Sequence, residues 1–398
     1  MDPYYNGETM LGTLVALMLA YWWVMIIGSI VAGGIVAFLT AFAPSLVSKE
    51  PESLSRLKAS MAISGIAIIL AGLGVFIGSA ELLSYAFGLP IMGSSIVVGA
   101  VIFTAFIIII QWLLSPYLIN MMYRTHAPRN AEEEKVQEML IDVSRKSGIK
   151  PPKVRIAEVN IPNAFSYGSP LTGNFVAVTR GLMSIMPESE VEAVLGHEVG
   201  HLKHRDVGVI LALSLIPLAV YYLGQILIWN GMLSGGYDGD SGGEGGGILL
   251  LLVGMILIAT GVLFRFLVAH FNRLREYYAD ANSAIVTKRP RNLQRALARL
   301  ELAYRSSKRL RDEAKSNSMA QSLFIIAPFI EASGGFLFEI DHPGGWDFIG
   351  EDIDEVVERL RKSRADPRVE IMSTHPPTPK RIRFLDNIAK RLEYIAKL

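Results

Sequence analysis

The stretch PESEVEAVLGHEVGHLKHRD, from Pro187 to Asp206, decides how the rest of the chain is interpreted. It places His197 and His201 four residues apart, with Glu198 between them. Side chains at this spacing lie on one face of a helix about one turn apart, so both imidazoles can reach the same metal ion. The stretch therefore predicts a helix that carries a metal site.

The pentapeptide formed by residues 197–201 has two interpretations. A His, a Glu and a second His in this order on a helix are typical of zinc peptidases, in which the glutamate serves as general base. The alternative is a solvated helix with two unrelated histidines, in a chain that has seven. Gly200 argues against the alternative, because glycine costs about 1 kcal/mol in a helix interior. Such a glycine needs a reason, for example the close approach of another backbone or a metal site.

The composition indicates a protein that is embedded in a membrane over part of its length. Of 398 residues, 51% are hydrophobic and 19% are charged, which is too apolar for an ordinary soluble chain. The absence of cysteine excludes disulfides and thiolate ligands, so a metal must be held by histidines and carboxylates. The net charge of +1 gives no support for a nucleic-acid partner.

Five apolar runs are long enough to cross a bilayer, which requires about 20 residues of helix. They are residues 11–42, 61–80, 92–122, 207–229 and 248–271. A glycine-rich, flexible link joins the last two runs. Residues 1–10 contain no Lys or Arg and so lack the basic region of a cleavable signal peptide. The first run is therefore predicted to remain in the protein.

The charges between the runs predict the orientation in the membrane. Lys and Arg are absent before the first run, after the second run and after the fourth run. Three follow the first run, and many follow the third and the fifth runs. Under the positive-inside rule, this alternation fits five spans with the N-terminus outside and the segment around His197 in the cytosol. The predicted location is the plasma or inner cell membrane, crossed several times.

The predicted domain boundaries follow these runs. Residues 1–122 form an N-terminal membrane region with three transmembrane helices, and residues 123–206 form a first cytosolic catalytic part with the motif helix. Residues 207–271 hold the fourth and fifth transmembrane helices, joined by an external glycine-rich loop. Residues 272–398 form a second cytosolic catalytic part, in which no fold is predicted for residues 305–370.

The first cytosolic part has the pattern of a mixed helical and stranded domain. Its AEEEKVQEMLIDVSRKSG segment has apolar residues three and four apart and ends on Gly148, which predicts an amphipathic helix. Residues 153–159 alternate as a strand does. Two further short strands are predicted near residues 163–167 and 175–179, around a turn rich in Gly and Pro.

A site built on two imidazoles needs a third protein ligand if one position is to stay open for water. Without cysteine, the candidates are carboxylates or another histidine. Glu276 and Asp280 follow the fifth run and lie four residues apart, on one helical face. Because the fourth and fifth runs are antiparallel, their cytosolic ends reach the same face of the membrane. The alternative is a charged helix face that the two carboxylates share with Arg273 and Arg275.

Four blocks of sequence together resemble a known family. They are NAFSYGSPLTG from Asn163, VLGHEVGHLKHRD from Val194, RLREYYAD from Arg273 and HPPTPKRI from His375. The combination resembles the integral-membrane zinc metallopeptidases of the HtpX type and the related CAAX-prenyl endopeptidases, and is closer to HtpX. The resemblance implies a mainly α membrane protein, with a cytosolic α+β zincin-like domain attached to about five transmembrane helices.

The resemblance also implies a role for each matching residue. It implies a Zn²⁺ cofactor held by three side chains, those of His197, His201 and Glu276. Glu198 would be the general base. Asp280 would lie behind the ligands, holding a ligand imidazole or pairing with Arg273.

Two further groups of residues are implied to meet the substrate. His375 and Arg381 lie where related enzymes contact the substrate backbone or the developing oxyanion. An extended substrate would lie against the edge strand formed by Asn163, Ala164 and Phe165. The chain departs from the family pattern at Ser166, where alanine is common, and in its extra span. On the bare sequence, His375 before two prolines has the alternative role of a turn residue.

The expected function is that of an endopeptidase which cleaves misfolded or damaged membrane proteins, and its own chain, at a cytosolic active site. Its partners would be these polypeptides and the lipid bilayer, with no nucleic acid. The alternatives are a CAAX-prenyl endopeptidase, which encloses a chamber with more spans, and a zinc-binding membrane scaffold without catalysis. A transporter is disfavoured, because the first four runs lack the ionisable residues that transporters bury near the midplane.

Overall fold

The computed structural model describes residues 51, 53–87, 90–204, 206–234, 245–306, 352–364, 370, 373 and 375–396. The first predicted span, residues 11–42, lies outside these residues, as do residues 235–244 of the glycine-rich link. Most of the segment 305–370 also lies outside them.

The described part of the chain is mainly helical, as predicted. In chain order its elements are α1 (Leu54–Phe87), α2 (Pro90–Met122), α3 (Ala131–Ser147), β1 (Lys153–Ala157), β2 (Ala164–Ser169), β3 (Gly173–Thr179), α4 (Arg180–Ile185), α5 (Glu188–Lys203), α6 (Asp206–Ser234), α7 (Gly245–Thr287), α8 (Pro290–Ser306), α9 (Ile353–Lys362) and α10 (Thr378–Ala396).

Four helices, α1, α2, α6 and α7, contain segments that are long and apolar enough to cross a membrane. These segments are Leu54–Ala80, Ser95–Met122, Gly208–Leu233 and Gly247–Thr287. The four helices contain the second to fifth predicted spans, and the apolar segments of α2 and α6 begin three residues and one residue later than predicted. The fifth was predicted to end at residue 271, but α7 continues without a break to Thr287. The candidate carboxylates Glu276 and Asp280 therefore belong to the same helix as the fifth apolar run.

The chain divides into two compact units, each made of stretches that are distant in the sequence. Within the first unit, the described residues are 68–87, 90–105, 215–234 and 245–266. Its apolar core includes Val97, Val220, Leu223 and Val253. Small residues allow α6 and α7 to approach closely, because a Cβ on Gly224 would lie 2.7 Å from the carbonyl oxygen of Gly254.

The second unit contains the three-stranded sheet and the helices packed on it. Its strand order is β1-β3-β2, with β1 parallel to β3 and β2 antiparallel to β3. The three predicted strands are confirmed, with ends shifted by at most two residues. The predicted amphipathic helix is α3, which begins after Asn130 and buries Val136, Leu140 and Val143. Gly148 ends it with a left-handed φ of 75°.

The close packing of α5 against α7 explains the glycine that the sequence singled out. A Cβ on Gly200 would lie 2.9 Å from Cα of Ala279, and a Cβ on Gly196 would lie 3.2 Å from Cα of Ser283. The two glycines are one turn apart on α5, so together they let the backbones of the two helices approach. This approach brings the histidines of α5 within reach of the carboxylates of α7.

Candidate metal centre and active site

Two imidazoles from α5 and one carboxylate from α7 converge in the second unit. The Nε2 atoms of His197 and His201 are 3.1 Å apart. Glu276 places its Oε1 3.3 Å from Nε2 of His201 and its Oε2 3.5 Å from Nε2 of His197. All three side chains are buried. They form the one group of histidines and carboxylates in the described part of the chain that could hold a metal.

The spacing of these donor atoms fits a small tetrahedral metal ion. Ligands at about 2.0 to 2.1 Å from zinc in a tetrahedral site lie about 3.3 Å from one another. The shortest separations between the three side chains are 3.1, 3.3 and 3.5 Å, the last two measured from different oxygens of Glu276, and all are close to that value. Three protein donors leave a fourth position for water or substrate, as in catalytic rather than structural sites.

Glu198 is a buried acid between the two histidines on α5. Its side chain is 0% exposed, and neither carboxylate oxygen has a hydrogen-bond partner among the described residues. Burial raises the pKa of Glu198 to about 7, although the imidazoles of His201 and His197 act in the opposite direction. A carboxyl group with such a pKa can accept and return a proton near neutral pH.

Asp280 connects a candidate ligand imidazole to a buried arginine. Its Oδ1 lies 2.9 Å from Nδ1 of His197, whose Nε2 lies near His201 and Glu276. Arg381 of α10 donates to the same carboxylate with both Nε, at 2.8 Å, and Nη2, at 2.6 Å. Burial alone would lower the pKa of Arg381, but the Asp280 carboxylate raises it above its usual value. Because a carboxylate can only accept a hydrogen bond, this arrangement favours the His197 tautomer with the hydrogen on Nδ1 and leaves Nε2 as the nitrogen that would bind a metal.

The other arginines of this segment are buried as well. Arg273 donates from Nη1 to the carbonyl oxygen of Ser373 at 2.6 Å, so it holds the segment before His375 rather than the Asp280 carboxylate. Nη2 of Arg275 lies 3.3 Å from Nδ1 of His201. The helix face that the two carboxylates share with Arg273 and Arg275 is therefore not exposed to solvent, because all four side chains are buried.

His375 lies beside the third candidate ligand. Its Nε2 is 3.8 Å from Oε1 of Glu276. The backbone N–H of His375 donates to Oγ of Ser373, whose hydroxyl donates to the carbonyl oxygen of His375. Burial lowers the pKa of His375, although the Glu276 carboxylate opposes the effect. The neutral form of the His375 imidazole is therefore favoured at neutral pH. Arg273 holds the segment before it in place through the hydrogen bond to Ser373.

Strand β2 lies at an edge of the sheet, beside β3. Asn163 precedes it and exchanges hydrogen bonds with Thr179, since its carbonyl accepts from the N–H of Thr179 and its own N–H donates to Oγ1 of Thr179. Backbone groups alternate in direction along an antiparallel pair, so Phe165 also faces β3 while Ala164 and Ser166 face away from it. All residues of β2 are buried.

Comparison with known proteins identifies the family of this chain. Residues 130–389 match peptidase family M48. The chain belongs to peptidase family M48. This M48 peptidase is 52% identical to a "Protease HtpX homolog" of Aeropyrum pernix over 287 residues, which cover 72% of this chain and 84% of the relative. It is 37% identical to "Protease HtpX homolog 2" of Saccharolobus solfataricus, over 84% of this chain and 98% of the relative.

Among solved structures, the crystal structure of S. mikatae Ste24p is similar to the M48 peptidase with a TM-score of 0.44. The sequence identity is 15%, and the match covers 83% of this chain and 67% of that chain.

The family and the four apolar helices together make this M48 peptidase a multi-pass membrane metallopeptidase, as the sequence predicted. The structure brings the predicted site residues from α5, α7, the 375–377 segment and α10 to one place. It also shows a residue that sequence reasoning had noted only as a departure from the family pattern. After burial, the two imidazoles and the Glu276 carboxylate, the hydroxyl of Ser166 also affects the pKa of Glu198, and lowers it. That hydroxyl is 1% exposed and forms no hydrogen bond of ordinary geometry within the described residues.

Proposed function

We propose that this membrane metallopeptidase uses zinc and cleaves misfolded or damaged membrane proteins at a cytosolic active site. The observation that carries the proposal is the convergence of two imidazoles and one carboxylate at 3.1 to 3.5 Å, directly beside a buried carboxyl group. Nitrogen and oxygen donors in this number are a set that zinc accepts in peptidases. In this proposal His197, His201 and Glu276 are the zinc ligands.

The chemistry divides between the ion and the protein. When bound, zinc supplies Lewis acidity and lowers the pKa of water to about 7. Glu198 takes the proton of the attacking water and returns it to the leaving amine. The site favours this role, because the carboxylate is buried beside the ligands and its raised pKa of about 7 suits transfer in both directions.

The two residues of the last block have different roles in this proposal. His375 faces the site from beside Glu276 and donates to the oxyanion of the tetrahedral intermediate. Arg381 acts through Asp280, which is supported by its two hydrogen bonds to that carboxylate and by a side chain that is 1% exposed. It is therefore a positioning residue rather than one that touches the substrate.

The edge of β2 is the proposed place of the substrate. An extended peptide can add to a sheet edge through main-chain hydrogen bonds, which accept many side chains. Such tolerance suits a protease that removes damaged proteins of varied sequence. Of the three residues predicted to bind substrate, Ala164 has main-chain groups that face away from β3, while Asn163 and Phe165 have main-chain groups that face β3. The proposed contact therefore centres on Ala164 and its neighbour Ser166.

The proposed cytosolic location of the active site rests on the alternation of Lys and Arg between the spans. The proposed substrates include other copies of this chain. A cytosolic site next to transmembrane helices would reach loops of membrane proteins that have lost their fold.

The decisive experiment compares the purified wild-type protein with the Glu198→Gln variant. Zinc content is measured by elemental analysis, and cleavage of casein and of the chain itself is measured by gel electrophoresis. We expect about one zinc per chain in both proteins, and a cleavage rate at least about 100-fold lower in the variant. Full activity in Glu198→Gln would contradict the proposed role of Glu198.

Two other outcomes would favour the alternatives. Bound zinc with no cleavage by the wild type under any condition would indicate a scaffold. Cleavage of a prenylated peptide, but not of the same peptide without its prenyl group, would indicate a CAAX-prenyl endopeptidase.

A further inference from the structure

The carbonyl oxygen of Gly168 is the last acceptor on the outer edge of β2, and it is already occupied. The indole N–H of Trp112 donates to it at 3.0 Å. Gly168 lies four residues from Ala164 and two from Ser166, so all three point in the same direction, away from β3. The Trp112 bond agrees with that alternation, because it reaches Gly168 from the side opposite β3.

Trp112 belongs to the part of α2 that lies along β2. Near the end of this helix, Asn120 accepts a hydrogen bond from the hydroxyl of Tyr167 at 2.5 Å. The ring of Tyr123, directly after the helix, lies 4.9 Å from the ring of Phe165. These contacts fix α2 against one face of β2, while Ser166 on the other face lies beside Glu198. The position of the indole is therefore set by a whole helix and not by a loose side chain.

We infer that Trp112 is a specificity-determining residue that ends the substrate-binding edge of β2 after Ser166. The inference rests on the proposed function, because it assumes that substrates add to this edge. A bound peptide can pair with the main chain of Ala164 and Ser166, but the acceptor of Gly168 is taken and the indole ring fills the place beside it. The paired segment of substrate is therefore short on one side of the scissile bond.

The position of Trp112 along α2 indicates on which side the substrate-binding edge of β2 ends. It lies ten residues before the end of the candidate span Ser95–Met122, which is about 15 Å along a helix. Phe165 contacts Tyr123 after the helix, whereas Gly168 contacts Trp112 within the span. The substrate edge thus ends on the side of the apolar part of α2, and substrate residues beyond it meet that helix instead of a strand.

A test needs substrates that differ only in length and in main-chain hydrogen bonding. We suggest a series of fluorogenic peptides with one scissile centre, lengthened residue by residue on either side. A second series carries a single N-methyl group in place of each main-chain N–H in turn. The value of kcat/KM is measured for the wild type, for Trp112→Phe, which keeps a ring but removes the N–H, and for Trp112→Ala, which removes the ring. Trp229→Phe, at an exposed position, is the matched control.

For the wild type, we expect kcat/KM to stop rising after a short extension on one side. In Trp112→Ala, and to a smaller degree in Trp112→Phe, one further residue on that side should raise kcat/KM by about three- to tenfold, the worth of one hydrogen bond. N-methylation of that residue should abolish the gain. Trp229→Phe should behave as the wild type.

The inference is overturned if folded, zinc-loaded Trp112 variants keep the length dependence of the wild type. If neither variant folds, the N-methylated peptides still test the inference with the wild type. A fall in kcat/KM on N-methylation of the residue opposite Gly168 overturns the inference. An unchanged kcat/KM at that residue, together with a fall on N-methylation opposite Ser166, supports it. Insensitivity at every position contradicts addition to the strand itself. Failure of the zinc-loaded wild type to cleave any peptide contradicts the proposed function instead.

Discussion

The carboxylate of Asp280 is shared between the ring of His197, a proposed metal ligand, and the guanidinium of Arg381, and this sharing determines how the site is expected to respond to mutation. Its Oδ1 accepts from both His197 and Arg381, while Oδ2 accepts from Arg381 alone. All three side chains are buried. Removing the charge of Asp280 would therefore leave a buried guanidinium without its partner, which is costly in a low-dielectric interior.

We predict that Asp280→Asn weakens zinc binding about 10- to 100-fold, the usual effect of losing a partner behind a metal ligand. The asparagine oxygen can still accept from His197, but it cannot pair with Arg381 as a charged, bidentate acceptor. Zinc affinity is measured by competition with a chromogenic chelator. Asp142→Asn, in an exposed ion pair with Lys146, is the control and should bind zinc as the wild type does. Equal zinc affinity in Asp280→Asn would contradict this account.

At the residue scale, the sequence predicts which residues belong to the site better than it predicts which side chains pair with each other. The spacing of His197 and His201 predicts that they face one ion, and Glu276 was a candidate because it lies at the matching end of a span. The partner of Asp280 could not be chosen in the same way. Arg273 is seven residues away and Arg381 is 101 residues away, and only the packing of α10 on α7 decides between them. Ser166 carried no signal beyond its departure from the family pattern.

At the scale of elements, the seam between α5 and α7 depends on two glycines. We predict that Gly200→Ala lowers the stability of the protein by about 1 to 3 kcal/mol, because the added methyl group overlaps Cα of Ala279 and forces the helices apart. The same displacement should reduce the zinc content after purification. Thermal unfolding in detergent and elemental analysis measure the two effects.

The matched control for that substitution is Gly208→Ala on α6. A Cβ at Gly208 would meet no atom within 4 Å, so this change should be neutral or stabilise the helix by up to about 1 kcal/mol. If Gly200→Ala is as stable and binds as much zinc as Gly208→Ala, the prediction is contradicted, because α5 and α7 can then move apart without loss of stability or of the metal.

The start of α3 provides a prediction about pH. Glu133 is fully buried and accepts hydrogen bonds from the backbone of Arg129 and from the side chains of Asn130 and Arg180. Burial raises the pKa of Glu133, but these bonds, first that of Arg129 and then that of Arg180, lower it below its usual value. A carboxyl group whose pKa is lower in the folded state stabilises the fold above about pH 4.3 and loses this effect as the pH falls further.

We therefore predict that the wild type loses more thermal stability between pH 7 and pH 3 than Glu133→Gln does. At pH 7 the variant should be less stable, by about 1.5 to 3 kcal/mol, because hydrogen bonds to a charged group are lost. The difference in melting temperature should shrink as the pH falls. Glu138→Gln, exposed on the same helix, should follow the wild type at every pH. A constant difference between Glu133→Gln and the wild type would contradict the assignment.

The elements themselves were largely predictable. Alternation over residues 153–157 and helical spacing from residue 131 each reflect local chemistry, and β1 and α3 formed where expected. The order of the strands was not predicted, because it depends on the pairing of β3 with both neighbours across turns. The continuation of α7 to Thr287 was also missed, since the apolar run ends earlier than the helix and the buried polar residues beyond it resemble a solvated segment.

At the scale of the whole molecule, the orientation of the peptidase elements in the membrane can be tested because the chain has no cysteine. A single cysteine in place of Glu138, exposed on α3, reports on the proposed cytosolic side. A single cysteine in place of Ser241 reports on the glycine-rich link, which the charge pattern predicts to lie outside.

We predict that a membrane-impermeant maleimide labels the Ser241→Cys protein in intact cells, and labels the Glu138→Cys protein only after the membrane is opened. Gel-shift detection with a maleimide of high mass measures both. Labelling of Glu138→Cys in intact cells would contradict the proposed orientation. It would not contradict the proposed metal chemistry.

The bond between Asp280 and Arg381 has a consequence for the time at which the protease becomes active. During synthesis, His197, His201 and Glu276 leave the ribosome long before residue 381 does. Until α10 folds onto α7, the carboxylate of Asp280 lacks the guanidinium that fixes it, and the His197 ring lacks its fixed orientation. We therefore expect a newly made chain to cleave poorly until α10 has packed against α7.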